Sequence, residues 1–263
     1  MYVFIYLFIY FIYLFMYCIM DNIILYLRHY IFINPNNIFK NIHIDPILTN
    51  IKKIHNKNYI NGEIVKYHGY KDIVNCLHNY DTELCKLFTE LNHNYPALLV
   101  DIGRLIILYN YGGIYHDLKC MSNQNMIYYL QTVPPEIQLI GEEHPKEHHR
   151  VRNSNIIALH KHSPFISSIL QKMKLSLKSN RNAFGPNKVF ENGSKIYIQQ
   201  FLENTNKHIY KFPFQNSNMI TFNNNIYLQN VKRWQTTYEY IFQKKQLSHE
   251  KNKNKNKKLI FFI

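Results

Sequence analysis

The chain predicts an α/β fold in which a central, mostly parallel sheet is sandwiched between helices and preceded by an N-terminal membrane helix. Three observations carry this. From about residue 72 onward, short apolar runs suited to strands alternate with longer segments of helical periodicity. The apolar run from Pro96 to Tyr111 stops at Gly112-Gly113 and passes at once into an alternating segment, which marks a helix-to-strand junction. Residues 1–20 carry no charge, are dominated by Phe, Ile, Leu and Tyr, and have the length of a membrane span.

Taken in order, residues 1–20 have no basic leader and no small-residue cleavage site, so they read as a signal anchor. Its orientation stays open. The positive-inside rule keeps the flank with Arg28 and Lys40 in the cytosol. Residues 21–66 are Asn-rich and broken by Pro35 and Pro46, and read as a stem or irregular segment. Ile73, Leu77, Leu84, Leu87, Phe88 and Leu91 fall at helical spacings, in two pieces. Pro96 suits the first turn of a helix ending near Tyr111, with Gly112 as its stop. Ile114 to Cys120 alternates as a strand, Ile137 to Gly141 is a second, and Ile156 to Leu159 a third. The polar stretch 142–153 between the last two reads as a loop. A helix capped by Ser163 runs from Pro164 to about Lys178, and Phe184-Gly185-Pro186 is a turn. The folded domain is thus expected over 67–243, followed by a tail at 244–263.

Composition excludes some classes. The formal charge is +14, but residues 244–258 alone hold seven lysines against one glutamate. Such a Lys/Asn run is a solvated tail, and no zinc-finger spacing or RNA-recognition signature accompanies it, so no nucleic acid partner is expected. Cys18, Cys76, Cys85 and Cys120 form no metal-binding pair and allow at most one bridge among the last three.

The chemistry concentrates between Val100 and Cys120. Asp101 and Arg104 lie three apart, on one face of a helix that is otherwise apolar nearly all round. In the following strand, period two puts Asp117 and Lys119 on one side. Polar residues at the carboxyl end of a strand sit where open α/β sheets bind ligands. The same residues also suit two buried ion pairs that merely hold helix to strand.

The pattern D-x-x-R, an aliphatic run ending in Leu108-Tyr109, then Tyr111-Gly112-Gly113-Ile114-Tyr115-His116-Asp117, resembles the DxD sugar-binding region of glycosyltransferase family 32, that of the Golgi mannosyltransferases. Arg152-Asn153-Ser154-Asn155 with the following IIALHKHSP, the helix from Pro164 and the Gly185-Pro186 turn are similar to later blocks of that family. The resemblance implies a GT-A nucleotide-binding sandwich and sugar transfer with retention, from a UDP- or GDP-sugar to a glycan or glycolipid acceptor, in the Golgi or ER lumen if the source is eukaryotic. It gives Asp101, Arg104, Gly112, Gly113, Tyr115, Asp117 and Asn155 to the donor, with Asp101, Arg104, Asp117 and Lys119 as the catalytic set. Asp117 matches the first acid of DxD and is the one candidate ligand for a divalent Mn or Mg ion. Lys119 stands where the second, metal-binding acid belongs. A fixed ammonium there supplies the positive charge that a leaving nucleoside diphosphate needs and repels a divalent cation. The alternative is a noncatalytic, membrane-tethered pseudo-transferase that still binds sugar or nucleotide. The family's I-H-Q-like opening strand has only Asn41-Ile42-His43 as a faint counterpart, which leaves the nucleobase unassigned.

Other signals carry less. His144 to His148 has the H-x-x-E-H spacing of a zinc-peptidase class, but Pro145 sits inside it and the chain holds 14 histidines. Asn192-Gly193-Ser194 is a glycosylation sequon in an Asn-rich chain, and Trp234 reads as a packing residue.

Overall fold

The computed structural model describes residues 27–34, 38–39, 41–57, 62–134, 136–143, 151–203, 209–212, 219–222 and 239–243. The apolar run 1–20, residues 144–148, Trp234 and the tail 244–263 lie outside them. Among the described residues no helix is long and apolar enough to cross a membrane.

The elements follow in the order β1 (Leu27–Ile31), α1 (Pro46–Asn56), β2 (Ile64–His68), α2 (Tyr70–Tyr80), α3 (Thr82–Thr89), α4 (Pro96–Tyr111), β3 (Gly113–His116) and β4 (Cys120–Ser122). Then come α5 (Gln124–Gln131), β5 (Leu139–Glu143), β6 (Val151–Ala158), α6 (Pro164–Ser179), α7 (Pro186–Asn192), α8 (Ser194–Glu203), β7 (Ile209–Phe212) and β8 (Ile220–Phe222). The main sheet has the order β2-β1-β3-β6-β5-β7, and β4 pairs with β8 in a small second sheet. β1 runs parallel to β2 and β3, and β5 parallel to β7. Only β6 runs against its neighbours β3 and β5. The fold is therefore mixed α/β with a mostly parallel sheet.

Both faces of the sheet's centre are covered, which explains why β3 and the end of β6 read as apolar runs. Tyr115, Ile156 and Ala158 pack under α2, α3, α4, α6 and α8. Their chain neighbours Ile114 and Ile157 face the other way, with Met126 and Leu130 of α5 and Cys120 of β4. A third cluster seats Leu48 and Ile51 of α1 on Phe32. Apart from Asp101 and Arg104, helix α4 is apolar nearly all round because it lies in the middle of its layer: Leu98, Leu99, Ile102 and Leu105 are fully buried. Pro96 opens it and Gly112 closes it, as expected.

Three expectations need correction. Residues 21–66 are not irregular throughout: β1, α1 and the start of β2 lie there, so the sheet begins at Leu27, well before 67. Arg28 and His29 inside β1 hid that strand, because polar residues break the apolar run that marks a buried one. The stretch read as a polar loop contributes Glu142, Glu143 and Val151 to Asn153 to strands. The strand expected to run to Cys120 ends at His116. Cys76, Cys85 and Cys120 are buried free thiols.

Candidate functional site

The site is built by a fault in the sheet. Gly141 of β5 pairs with Ile156 of β6, yet Glu142 pairs with Arg152, so residues 153–155 have no counterparts on β5. Such a bulge re-aims side chains. Asn153 turns toward Asp101 of α4, Ser154 offers its carbonyl to the Asp117 N–H at 2.8 Å, and Asn155 reaches His116. Held by Ser154, the chain leaves β3 at Asp117. The Cys120 N–H donates to Asp117 O at 2.8 Å and closes a tight turn. Asp117 and Lys119 therefore share a turn at the carboxyl end of β3, not one face of a strand.

Arg104 is the centre of the cluster. Its guanidinium donates to Asp101 Oδ1 and to Asn153 O, and its Nε to Val100 O at 3.3 Å. It lies 3.8 Å from Asp117 Oδ1 and 5.0 Å from the centroid of Tyr115. The Tyr115 hydroxyl donates to Asp117 Oδ1 at 2.7 Å. Asp101 is engaged through both oxygens, because Oδ2 accepts from Ser194 Oγ at 2.7 Å. Asn153 Nδ2 in turn donates to Ser194 Oγ at 2.5 Å. The joint between α7 and α8 comes so close that a β-carbon on Gly193 would collide with the Asp101 carboxylate.

Burial divides the roles. Asp101 and Arg104 are 5 % and 6 % exposed, whereas the Asp117 side chain is 33 % exposed. Burial pushes the Asp101 carboxyl upward, with Arg104 and the Ser194 hydroxyl pulling against it. Burial also works against the Arg104 charge, but Asp101, Tyr115 and Asp117 outweigh it and hold the guanidinium protonated. The Tyr115 phenol is pushed well up, first by burial and then by Asp117. Tyr197 of α8, near enough to feel the Arg104 charge, buries a hydroxyl with no hydrogen-bond partner among the described residues.

Of the expected residues, Asp101, Arg104, Tyr115 and Asp117 come together, with Lys119 two positions on in the turn. Gly112 and Gly113 do not join them. They lie at the opposite end of β3, where φ is 64° and 88° and a β-carbon on Gly113 would stand 2.6 Å from Leu27 O. Their role is to let α4 fold straight back into the sheet. Asn155 is fully buried on the other face of the sheet. Asn153 and Ser194 join the site although neither was among the expected site residues. Ser194 belongs to the apparent sequon, but Asn192 is fully buried, and its amide donates to Lys188 O and accepts from Ser176 Oγ, so the folded domain offers no glycosylation site there.

These side chains do not fit a divalent cation. Asp101 is saturated, Asp117 faces a guanidinium, and no group of three His, Cys, Asp or Glu among the described residues could hold a metal. A cleft of about 910 Å³ opens elsewhere, at the outer edge of β2, beside Lys52, Lys66, Tyr67, His68, Asp72 and Tyr111.

Residues 44–144 match the family model described as the glycosyltransferase sugar-binding region containing the DXD motif. That stretch holds Asp101, Arg104, Asp117 and Lys119 and stops short of Asn153 and Ser194. Among solved structures, the PaToxG glycosyltransferase is 18 % identical over 73 % of this chain and 76 % of its own, with a TM-score of 0.43. The UDP-bound glycosyltransferase domain from the YGT toxin is 12 % identical over 61 % of this chain and 45 % of its own, with a TM-score of 0.31. No curated protein matches the chain by sequence.

Proposed function

We propose that the chain is a glycosyltransferase of the family 32 kind. It would move a sugar from a UDP- or GDP-sugar to a glycan, lipid or protein acceptor, with retention at the anomeric carbon. The observation that carries this reading is the Asp117 turn: a half-open acid backed by a buried guanidinium, at the carboxyl end of a strand and inside the stretch that the DXD family model matches. Asp117 takes the donor's ribose. Arg104 and the Lys119 ammonium face the diphosphate, which gains negative charge as the glycosyl–oxygen bond breaks and keeps its electron pair. The acceptor hydroxyl forms the new bond to the anomeric carbon and passes its proton to the departing phosphate oxygen. Asp101 braces Arg104 and does not itself touch the donor, since its oxygens are already occupied. Residues 1–20 would tether the domain to a membrane.

In this reading turnover depends weakly or not at all on a divalent metal. Thermal shift against a panel of UDP- and GDP-sugars, with and without manganese, followed by product detection, tests it. Stabilisation by one donor and transfer or hydrolysis without manganese is the expected result. Lys119→Ala should lower kcat by about tenfold or more; full turnover in that variant would overturn the role of the lysine. One observation favours a second, noncatalytic reading, namely that Lys119 replaces an acid of the motif. Stabilisation without turnover would select it, and no binding to any donor would sink both.

A further inference from the structure

A chain of buried polar groups runs beneath the Asp117 turn, on the sheet face away from Arg104. Arg28 Nε of β1 donates to Ser122 Oγ of β4 at 2.8 Å, and Ser122 Oγ lies 3.1 Å from His116 Nε2 of β3. His116 Nδ1 lies 2.7 Å from Asn155 Oδ1 of β6. Asn155 Nδ2 donates to Glu142 Oε2 of β5 at 2.6 Å, and Glu142 Oε1 meets Arg152 at 3.5 Å. Arg28, Ser122, His116, Asn155 and Glu142 are all buried. Burying such a set is costly unless its members pair with one another, and Arg28 also meets the buried Glu63 carboxylate at 2.9 Å.

The proton positions follow from what each group is able to do. The Glu142 carboxylate only accepts, so Asn155 presents its NH2 to Glu142 and its Oδ1 to His116. An amide oxygen only accepts, so His116 carries its proton on Nδ1. Its Nε2 then accepts, which obliges the Ser122 hydroxyl to donate to it. That leaves a lone pair on Ser122 for Arg28, which only donates. One end of the chain is a cation, the other an anion, and every link between them points the same way.

We infer that Glu142 and Asn155 are positioning residues for the Asp117 turn. Glu142 sets the His116 tautomer through Asn155, and His116 ties the last residue of β3 to Ser122 of β4, so the turn between them is clamped at both ends. The inference rests on the reading of Asp117 as the acid that faces the donor. It gives Asn155 a task, although its amide never reaches the donor side of the sheet.

The test uses the full chain with 15N-labelled histidine and long-range ring correlations. His116 is identified as the ring whose Nε2 signal moves in Ser122→Ala. The expected result is a ring protonated on Nδ1 in the wild type and still so in Ser122→Ala, because the Glu142 side dictates it. In Glu142→Gln, whose amide is able to present either end to Asn155, the ring should become a mixture of tautomers. The donor KM should then rise at least about threefold, with a smaller change in kcat. Protonation on Nε2 in the wild type, a tautomer flip in Ser122→Ala, or an unchanged ring and KM in Glu142→Gln would each overturn the inference. If no sugar nucleotide is turned over, the proposed function fails, and the ring spectra still decide whether Glu142 governs His116.

Discussion

In the proposed role, Arg104 faces a diphosphate only if it is charged and still, and the residues around it secure both. Asp101 supplies the counter-charge, and Ser194 and Asn153 keep Asp101 from turning. Breaking one side of a buried arrangement costs more than the missing bond is worth, because the remaining partner is left unsatisfied. Ser194→Ala strips a donor from Asp101 Oδ2 and an acceptor from Asn153 Nδ2 at once. We expect a loss of about 1–3 kcal/mol in urea unfolding, together with weaker donor binding. A variant as stable as the wild type would show that the bond between Ser194 and Asp101 does not hold the site.

At the level of elements, the junction of α4 with β3 is the hinge on which the site depends, since it decides where β3 starts and hence where Asp117 ends up. Gly113 has φ of 88°, and a β-carbon there would press on Leu27 O of the neighbouring strand. Gly113→Ala should therefore destabilise the domain by about 1–3 kcal/mol from backbone strain alone, with more from the collision, read as a lower midpoint in thermal unfolding. An unchanged midpoint would mean that the junction shifts freely. This junction was legible in the sequence, because an apolar helix, a proline at its start and a glycine at its end are local signals. The four residues Asp101, Arg104, Tyr115 and Asp117 were legible for the same reason, lying within one short stretch. What lay hidden was non-local. The alternation from Ile114 to Cys120 reads as one strand, and only the bulge in β6, set by its pairing with β5, pulls the chain off the sheet at Asp117. Ser194 meets Asp101 across 93 positions, and no pattern in either segment announces that contact. β1 escaped because its buried polar residues meet distant partners, Ser122 and Glu63 for Arg28 and His68 for His29.

Across the whole molecule, the interior holds neutral histidines at the places where its parts join. His29 bonds to Gly112 O at 2.9 Å and to His68 at 2.8 Å, linking β1, β2 and the α4–β3 junction. Since a carbonyl only accepts, His29 carries its proton on Nε2, and the His68 Nε2–H donates to His29 Nδ1. A second proton on His29 would face that N–H and break the pair. His55 joins Tyr67 to Leu118 O in the same manner. Burial lowers His29 well below its usual range, helped by the proximity of His68, and it lowers His55 as well. His68 is brought down to about 4 by burial, against the pull of Asp72. The sign of the effect on stability follows. In the unfolded chain these rings take up a proton near pH 6.5, while the folded state refuses it, so acid favours unfolding as soon as pH falls through that value. Each ring costs up to about 1.4 kcal/mol per pH unit, from 6.5 down to its folded pKa. Asp81 responds much later. Burial opposes its charge, but Lys174 and the Leu84 N–H hold it at about 2, so its contribution is lost only as pH falls from the ordinary carboxylate range toward that value. Stability should accordingly be flat from pH 8 to 7 and fall between about 6.5 and 4, less steeply where the raised carboxyls of Asp101 and Glu142 take up protons in the folded state. Urea unfolding at fixed ionic strength across that range checks it: a curve that stays level to pH 5 would mean that these histidines are protonated in the folded protein, and that the joints they make are looser than their hydrogen bonds imply.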